Sequence, residues 1–263
     1  CKDRAPQNVV IPYLDNDELD RYIVKERFYE LCDEHGIAHP KTFVYRLGRD
    51  VPGDVPIAYP LVVKPSDSAD YFEHPFPDQH KVYFVDTHEQ FTVTVEAIRA
   101  SGYGGNLVVQ EYIRGDDDCM YNLTCYSDAS GKVRAACLGH VLLEEHTPLG
   151  IGNPALIVTE ENDGLVRTAT DLLESVGFRG FANFDIRRNR ETGDYCFLEL
   201  NARQGRSNYF AVVGGVPLVK HLVEDVINHR PLPYAQCIPG CVWGVVPHGV
   251  ARRYANLPAS CDD

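Results

Sequence analysis

The chain has 263 residues, 44% hydrophobic and 24% charged, enough for one large domain or two small ones with an ordinary core. Its formal net charge of −13 argues against a general nucleic-acid binder, which needs clustered Lys and Arg, but leaves room for a locally basic anion pocket. No run of about 18 apolar residues exists to span a membrane, and the opening CKDRAPQNVV lacks an apolar signal core. Nine cysteines, odd in number and without a CxxC pair, argue against a disulfide framework or a zinc site. They read as small buried hydrophobes in a reducing cytoplasm. The first residue is Cys, and NVVIPY reads like a strand near the end of something. An excised piece, or a missing N-terminal domain, is therefore expected.

Residues 17–35 carry Leu19, Ile23, Phe28, Leu31 and Cys32 at helical spacing, with Asn16 as a cap and Gly36 as a stop. A short strand follows GIAHPKTFVY, then the turn-rich PGDVPIAYP, then the strand LVVK at 61–64. KVYFV (81–85) is a further strand and 88–101 a helix, despite its β-branched residues. NLVVQEYIRGDDD (106–118) is a strand entering an acidic turn. MYNLTCYSD and KVRAACLGHVLL alternate as antiparallel strands joined through Asp128–Gly131. Residues 160–176 form an amphipathic helix closed by Gly177, and 217–228 a helix opened by Pro217. FANFDIRRN and YCFLELNAR form a hairpin around RETGD, and the tail is irregular. Strands and helices mix without βαβ alternation, so the fold class is α+β.

The hairpin carries the first candidate chemistry. Alternation puts Glu199 and Asn201 on one face and Leu198 and Leu200 on the other; Asn183 and Asp185 share a face on the preceding strand. A five-residue loop sets Asp185 opposite Glu199, to within about a residue. Facing carboxylates repel, and a divalent cation removes the repulsion. Two carboxylates and an amide oxygen suit Mg²⁺, which keeps positions for water and phosphate. The competing reading is a solvent-facing pair on an exposed sheet; cations elsewhere shift the balance. Lys64, at a strand end, can reach phosphate as a point charge, or be a surface lysine. Lys25 lies in the first helix, where most lysines are simply solvated. No glycine-rich phosphate loop or GxGxxG exists. Gln110 and Glu111 end an apolar strand and can offer backbone groups to an adenine edge. Asp116, Asp117 and Asp118 are candidates for ribose hydroxyls, or simply an acidic turn.

Five stretches in order, DRYIVKERFYELCDEHGIAHPKTF, YPLVVKPSDS, VVQEYIRGDDD, FANFDIRRN and FLELNARQGRS, resemble the ATP-grasp superfamily of carboxylate–amine ligases. LGHVLLEEHTPLGIGN and NARQGRSNYF make the chain most similar to bacterial D-aspartate ligase-like proteins, over roughly residues 16–228. The resemblance implies an ATP-grasp fold of two α+β subdomains clasping nucleotide between antiparallel sheets. The expected divisions are a pre-ATP-grasp tail (1–16), a nucleotide-binding subdomain with a lid (17–113), a metal and substrate subdomain (114–230) and an extension (231–263). It implies that Lys25 and Lys64 hold ATP phosphates, and that Gln110, Glu111, Tyr112 and Ile113 form the adenine hinge. Asp118, or failing that Asp117, takes the ribose, although Glu is usual there. Asp185, Glu199 and Asn201 match magnesium ligands, with Mn²⁺ the other option, and Arg203 matches the arginine steadying transferred phosphate and intermediate.

The usual glycine-rich loop is replaced by SDSADYFEHPFPDQH, where Tyr71 and Phe72 are expected to close on nucleotide. Arg206 and Ser207 are candidates for the substrate carboxylate, since arginine binds carboxylates in bidentate fashion. Glu145 and His146, within Glu144–Glu145–His146 and near His140, are candidates for an amine or amino-acid contact, or a satisfied polar loop. The expected partners are ATP, an amino acid and an amine acceptor, with no nucleic acid and with a homo-oligomer open. The expected reaction is acyl-phosphate formation in the cytoplasm, then amine attack, with peptidoglycan cross-bridge synthesis the process expected to use it. D-Aspartate is favoured by resemblance alone. The alternatives are a carboxylase or carbamoyl-phosphate-type enzyme activating bicarbonate, or a nucleotide-binding module without catalysis.

Overall fold

The computed structural model describes residues 6, 8–147, 150–255 and 257. The single helix expected over 17–35 is two, α1 (Asn16–Ile23) and α2 (Lys25–Glu34). Val24 between them is extended, at φ −73° and ψ 116°. The helical spacing runs on through the break, but the packing does not. Tyr22 sits edge-on against Phe178 at 5.2 Å, Ile23 is exposed, and Glu26 of α2 accepts from Ser66 Oγ at 3.1 Å. The break coincides with a division into two compact units, Val24–Arg114 and Cys1–Ile23 with Gly115–Asp263. Residues 17–23, grouped with the first subdomain by sequence, thus belong to the second unit. Residues 8–13 form no strand, and α1 starts at Asn16 itself rather than after it.

The unit Val24–Arg114 contains β1 (Thr42–Arg46), β2 (Leu61–Pro65), α3 (Ser68–Phe72), β3 (Tyr83–Val85), α4 (His88–Ala100) and β4 (Asn106–Glu111). The strands form an antiparallel sheet in the order β1-β4-β2-β3. Alternation sends Leu61, Val63, Leu107, Val109 and Tyr45 to one face, where they pack with Phe91, Val95 and Ile98 of α4. Thr87 caps α4, its hydroxyl accepting from the Gln90 N–H at 3.2 Å. The β-branched residues of α4 are divided by its faces: Val95 is buried and Val93 exposed.

The other unit is built on β5 (Met120–Ser127), β6 (Val133–Glu144), β7 (Pro154–Thr159), β8 (Gly180–Arg188) and β9 (Tyr195–Asn201). Helices α5 (Asp163–Ser175), α6 (Tyr209–Val213) and α7 (Leu218–Val226) connect and cover them. The tail, expected to be irregular, holds β10 (Ala235–Gln236), β11 (Val242–Gly244) and α8 (His248–Tyr254). The sheet order is β11-β7-β6-β5-β8-β9, antiparallel, with β10 parallel to β6. Strand β7 has no counterpart among the predicted elements, because ALIVT is a short apolar run without alternation. At Gly139 on β6, a Cβ would lie 2.6 Å from Ile157 and 2.9 Å from Phe210, so only glycine lets α6 approach so closely.

Candidate active site

The β8–β9 hairpin pairs Asp185 with Glu199 and Asn183 with Asn201. The route to this register differs from the simple loop count. The connection is six residues, 189–194, and a bulge between Phe197 and Glu199 absorbs the extra one. In consequence Phe197, not Leu198, shares the buried face with Leu200. Phe197 pairs with Ile186 and meets Phe184 edge-on at 5.5 Å. Leu198, in the bulge, is half-buried.

Strand β5 extends the polar face. Asn122 pairs with Asp185 and donates Nδ2–H to its carboxylate; Thr124 pairs with Asn183. Asn201 donates Nδ2–H to Glu199 at 3.0 Å. Asn122 was not a candidate by sequence, although its alternation with Thr124 in MYNLTCY carries the signal. Asn183 Oδ1 is buried and receives no donor from the protein. The carboxylates of Asp185 and Glu199, the Asn201 amide and this uncompensated oxygen form an oxygen-rich donor set that fits Mg²⁺. Among the described residues, no three His, Cys, Asp or Glu side chains form a group able to hold a metal on their own. Magnesium commonly binds through one or two carboxylates, completing its shell with water and phosphate, so two carboxylates and amides suffice.

The remaining candidates of this unit are mostly engaged with one another. Arg206 pairs with Glu145 at 2.7 Å, joining two residues assigned separately to substrate. His146 Nε2 lies 2.9 Å from Asp117, which also accepts the Glu144 N–H at 2.8 Å. That bond raises the His146 pKa, whereas burial, and then Asp117, push the Glu144 carboxyl upward. Asp118 is held by Arg190, which also pairs with Asp116 at 3.0 Å. Of the two ribose candidates, Asp118 has the more exposed side chain, at 53% against 23% for Asp117. His140 bridges the Asp118 carbonyl and Glu160, at 2.7 and 2.9 Å. Burial lowers its pKa, but those two bonds outweigh burial and leave it raised. Arg203 is exposed and donates to the Gln204 carbonyl at 3.1 Å, while Ser207 is buried. Pro148 and Leu149, within the stretch LGHVLLEEHTPLGIGN, lie outside the described residues, as do Cys1 and Cys261.

In the unit Val24–Arg114, Lys64 stands opposite Val108, on the face of β2 shared with Val62 and Gln110. Lys25 is the first residue of α2, where the helix dipole favours anions. The Gln110 side chain is buried and donates to Thr42 Oγ1 at 2.8 Å; the Glu111 carboxylate accepts the Lys41 N–H at 2.9 Å. Tyr112 donates its N–H to the Pro60 carbonyl at 3.1 Å and meets Phe84 edge-on, and Ile113 is buried. The expectation for Tyr71 is corrected. It is fully buried in the core beside Phe76 and Tyr103, its hydroxyl 2.6 Å from Tyr83 and 3.0 Å from the His80 carbonyl. A ring so enclosed organises the 66–80 segment from within and does not close on nucleotide. Phe72 beside it is exposed.

A sequence family described as the carbamoyl-phosphate synthase L chain, ATP binding domain, matches residues 84–227, more than half of the chain. The chain belongs to this ATP-grasp family. It is 34% identical to the D-aspartate ligase of Enterococcus faecium (strain Aus0004), over 97% of this chain and 63% of that protein. The ATP-grasp chain thus spans a little under two thirds of that relative. Among solved structures it resembles the L-amino acid ligase from Bacillus licheniformis at 18% identity and a TM-score of 0.59, over 85% of this chain and 51% of that one. It also resembles the biotin carboxylase domain of Hydrogenobacter thermophilus 2-oxoglutarate carboxylase, in complex with MgADP, ADP and bicarbonate. There the identity is 16% and the TM-score 0.64, over 86% of this chain and 49% of that one. These likenesses establish the ATP-grasp fold, with its antiparallel sheets and α+β content.

Proposed function

We propose that the chain carries the ATP- and Mg²⁺-dependent machinery of a carboxylate–amine ligase that activates an amino-acid carboxylate, with D-aspartate the favoured acid. The observation that carries the reading is the pairing of Asp185 with Glu199 beside Asn201, in a chain similar to a D-aspartate ligase over nearly all its length. Asp185, Glu199 and Asn201 are the residues to hold magnesium, with Mn²⁺ as the other suitable ion. The bound ion would supply charge neutralisation for the ATP phosphates.

Lys25 and Lys64 are assigned to those phosphates, Gln110–Ile113 to the adenine and Asp118 to the ribose. Arg203, exposed and guanidinium-bearing, is assigned to the phosphoryl group as it moves to the substrate carboxylate. Arg206 and Glu145, paired with each other, match the carboxylate and ammonium of an amino acid. Opening that ion pair to a zwitterion exchanges one salt bridge for two, with Ser207 and His146 alongside. The product of phosphoryl transfer is an acyl phosphate, and attack by an amine gives the amide, ADP and phosphate. No protein nucleophile is required. The cytoplasm, which supplies ATP, is the compartment this reading calls for; among the described residues no helix is long and apolar enough to cross a membrane. Peptidoglycan cross-bridge synthesis is the process it would serve.

A second reading is a carboxylase or carbamoyl-phosphate-type enzyme that activates bicarbonate; the matching family's description, which names carbamoyl-phosphate synthase, favours its second form. An ADP-release assay separates the readings. The ligase predicts ADP with D-aspartate and an amine acceptor but none with bicarbonate; the reverse supports a carboxylase. Tight MgATP binding with no ADP from any acceptor would leave a non-catalytic module. Lys64→Ala is expected to weaken ATP binding by ~10–100-fold in calorimetry, as for a charge-assisted contact. A surface lysine would change it by less than about fivefold, and such a result would remove Lys64 from the site.

A further inference from the structure

The cysteines have no role in the proposed ligation, yet two of them are set together. Strand β10 runs parallel to β6 with Ala235 opposite Ala135 and Gln236 opposite Ala136. The next step of that register brings Cys237 beside Cys137, and the Cys237 N–H bonds to the Ala136 carbonyl at 3.2 Å. Neighbouring strands lie about 4.8 Å apart, within the Cα spacing that a disulfide spans. Both side chains enter one apolar cluster with Phe210 and Val216. Gly214 leaves room for them: a Cβ there would lie 2.9 Å from Cys237 Cβ and 3.5 Å from Cys137 Sγ. Both residues are free thiols.

We infer that Cys137 and Cys237 form an oxidative-modification site, which a hydroperoxide converts to an intramolecular disulfide tying β10 to β6. The two sulfurs have different parts in the reaction. Cys237 is 8% exposed just past the two-residue strand β10, whereas Cys137 is fully buried within the twelve-residue strand β6. The Cys237 S–H donates to the Leu138 carbonyl at 3.8 Å, and hydrogen bonding with Cys137 outweighs burial and lowers the Cys237 pKa, while burial pushes that of Cys137 up. Cys237 is therefore the attacking thiolate. It displaces hydroxide from the peroxide as the O–O bond breaks, leaving Cys237 sulfenic acid, and the thiol proton leaves with the hydroxide as water. The Cys137 sulfur then attacks the sulfenic sulfur. The S–S bond forms, the S–O bond breaks, and oxygen departs as a second water with the Cys137 proton. Two thiols and one peroxide give one disulfide and two waters. Cys125 is no competitor: it stands opposite Ala136 whereas Cys137 stands opposite Thr124, so alternation sends the Cys125 side chain to the other face of the sheet.

The test treats the folded full chain with stoichiometric hydrogen peroxide, alkylates it with N-ethylmaleimide and maps the peptides without reduction. The expected result is a mass lower by about 2 Da before alkylation, two fewer alkylated thiols and one linked peptide joining residues 137 and 237. Dithiothreitol restores both thiols. Cys137→Ser is expected to stop the reaction at a Cys237 sulfenic acid that dimedone captures, and Cys125→Ser to leave the link unchanged. A 125–237 link in the wild-type chain overturns the assignment. So does full alkylation of the folded chain after peroxide, under conditions where the urea-unfolded chain oxidises. The decisive measurements use the wild-type chain and need no ligase activity, so failure of the proposed function leaves them unaffected.

Discussion

Glu199→Ala is expected to reduce magnesium-dependent ADP formation by roughly a hundred- to thousandfold while leaving the circular dichroism spectrum unchanged. The second half of the expectation follows from where the residue sits. Glu199 is half-buried on the polar face of β9, while the strand is held by Phe197 and Leu200 on the opposite face. Its removal takes no packing from that core. A metal role also fixes the sign of a subtler effect. With no ion present, Asp185 and Glu199 stand opposite one another as like charges, which costs about 0.2–1 kcal/mol. Glu199→Gln removes the repulsion and keeps the shape, so its melting temperature in EDTA is expected to be equal to or above that of the wild type. Adding MgATP should then stabilise the wild type and not the variant, because only a state that binds ligand gains from mass action. Turnover undiminished in Glu199→Ala, or equal MgATP stabilisation of both proteins, would remove the metal assignment.

The polar face was legible because it depends on a period of two and a short loop. Asp185, Asn183, Glu199 and Asn201 were placed by alternation alone, and the register came out as the pairing required. The bulge that preserves it was not legible. Nothing in YCFLELN marks Leu198 as the extra residue, since bulges answer to sheet twist and packing rather than to hydropathy. Helix content is legible where the whole apolar stripe packs within one unit. Asn162 accepts from the Leu165 N–H at 3.1 Å at the start of α5, inside the predicted 160–176. At Val24 the same logic failed, because helical spacing carries no information about which unit each turn packs against.

Partners distant in sequence were the other blind spot. Glu145 and Arg206 each read as binding groups in the sequence, but no spacing rule reveals that residues 61 apart face each other at 2.7 Å. Tyr71 departs from its sequence expectation for a related reason. In SDSADYFEHPFPDQH the aromatics are surrounded by polar residues, so the stretch resembles an open lid. The hydroxyl of Tyr71 is instead satisfied by Tyr83 and His80, which lets a polar-flanked ring enter the core. Short apolar runs in the tail are ambiguous for the same physical reason: β10 exists only because β6 offers it an edge.

The largest loss of stability is expected at Asp128, in the turn between β5 and β6. Its side chain is 2% exposed, and both oxygens are committed. Oδ1 accepts from the Ser130 N–H at 2.8 Å, the Ser130 hydroxyl at 2.6 Å and the Lys132 N–H at 3.1 Å, and Oδ2 from Arg134 Nε at 2.6 Å. Asp128→Ala leaves these donors without an acceptor beside a partly buried guanidinium, so a loss of roughly 3–5 kcal/mol is expected. Asp128→Asn keeps the shape but loses the charge, and about half that loss is expected from the weakened bond to Arg134. The pH dependence distinguishes this cause from mere repacking. Burial raises the Asp128 pKa, but the bonds from Ser130 and Arg134 outweigh it and hold the folded value below normal. The stabilisation is therefore fully present above the unfolded carboxyl pKa of about 3.9. It fades as pH falls through the lower folded value. Urea midpoints should thus separate wild type from Asp128→Asn widely at neutral pH and draw together in strong acid. A separation that stays constant with pH would mean that the turn is held by shape, with the charge of Asp128 contributing nothing.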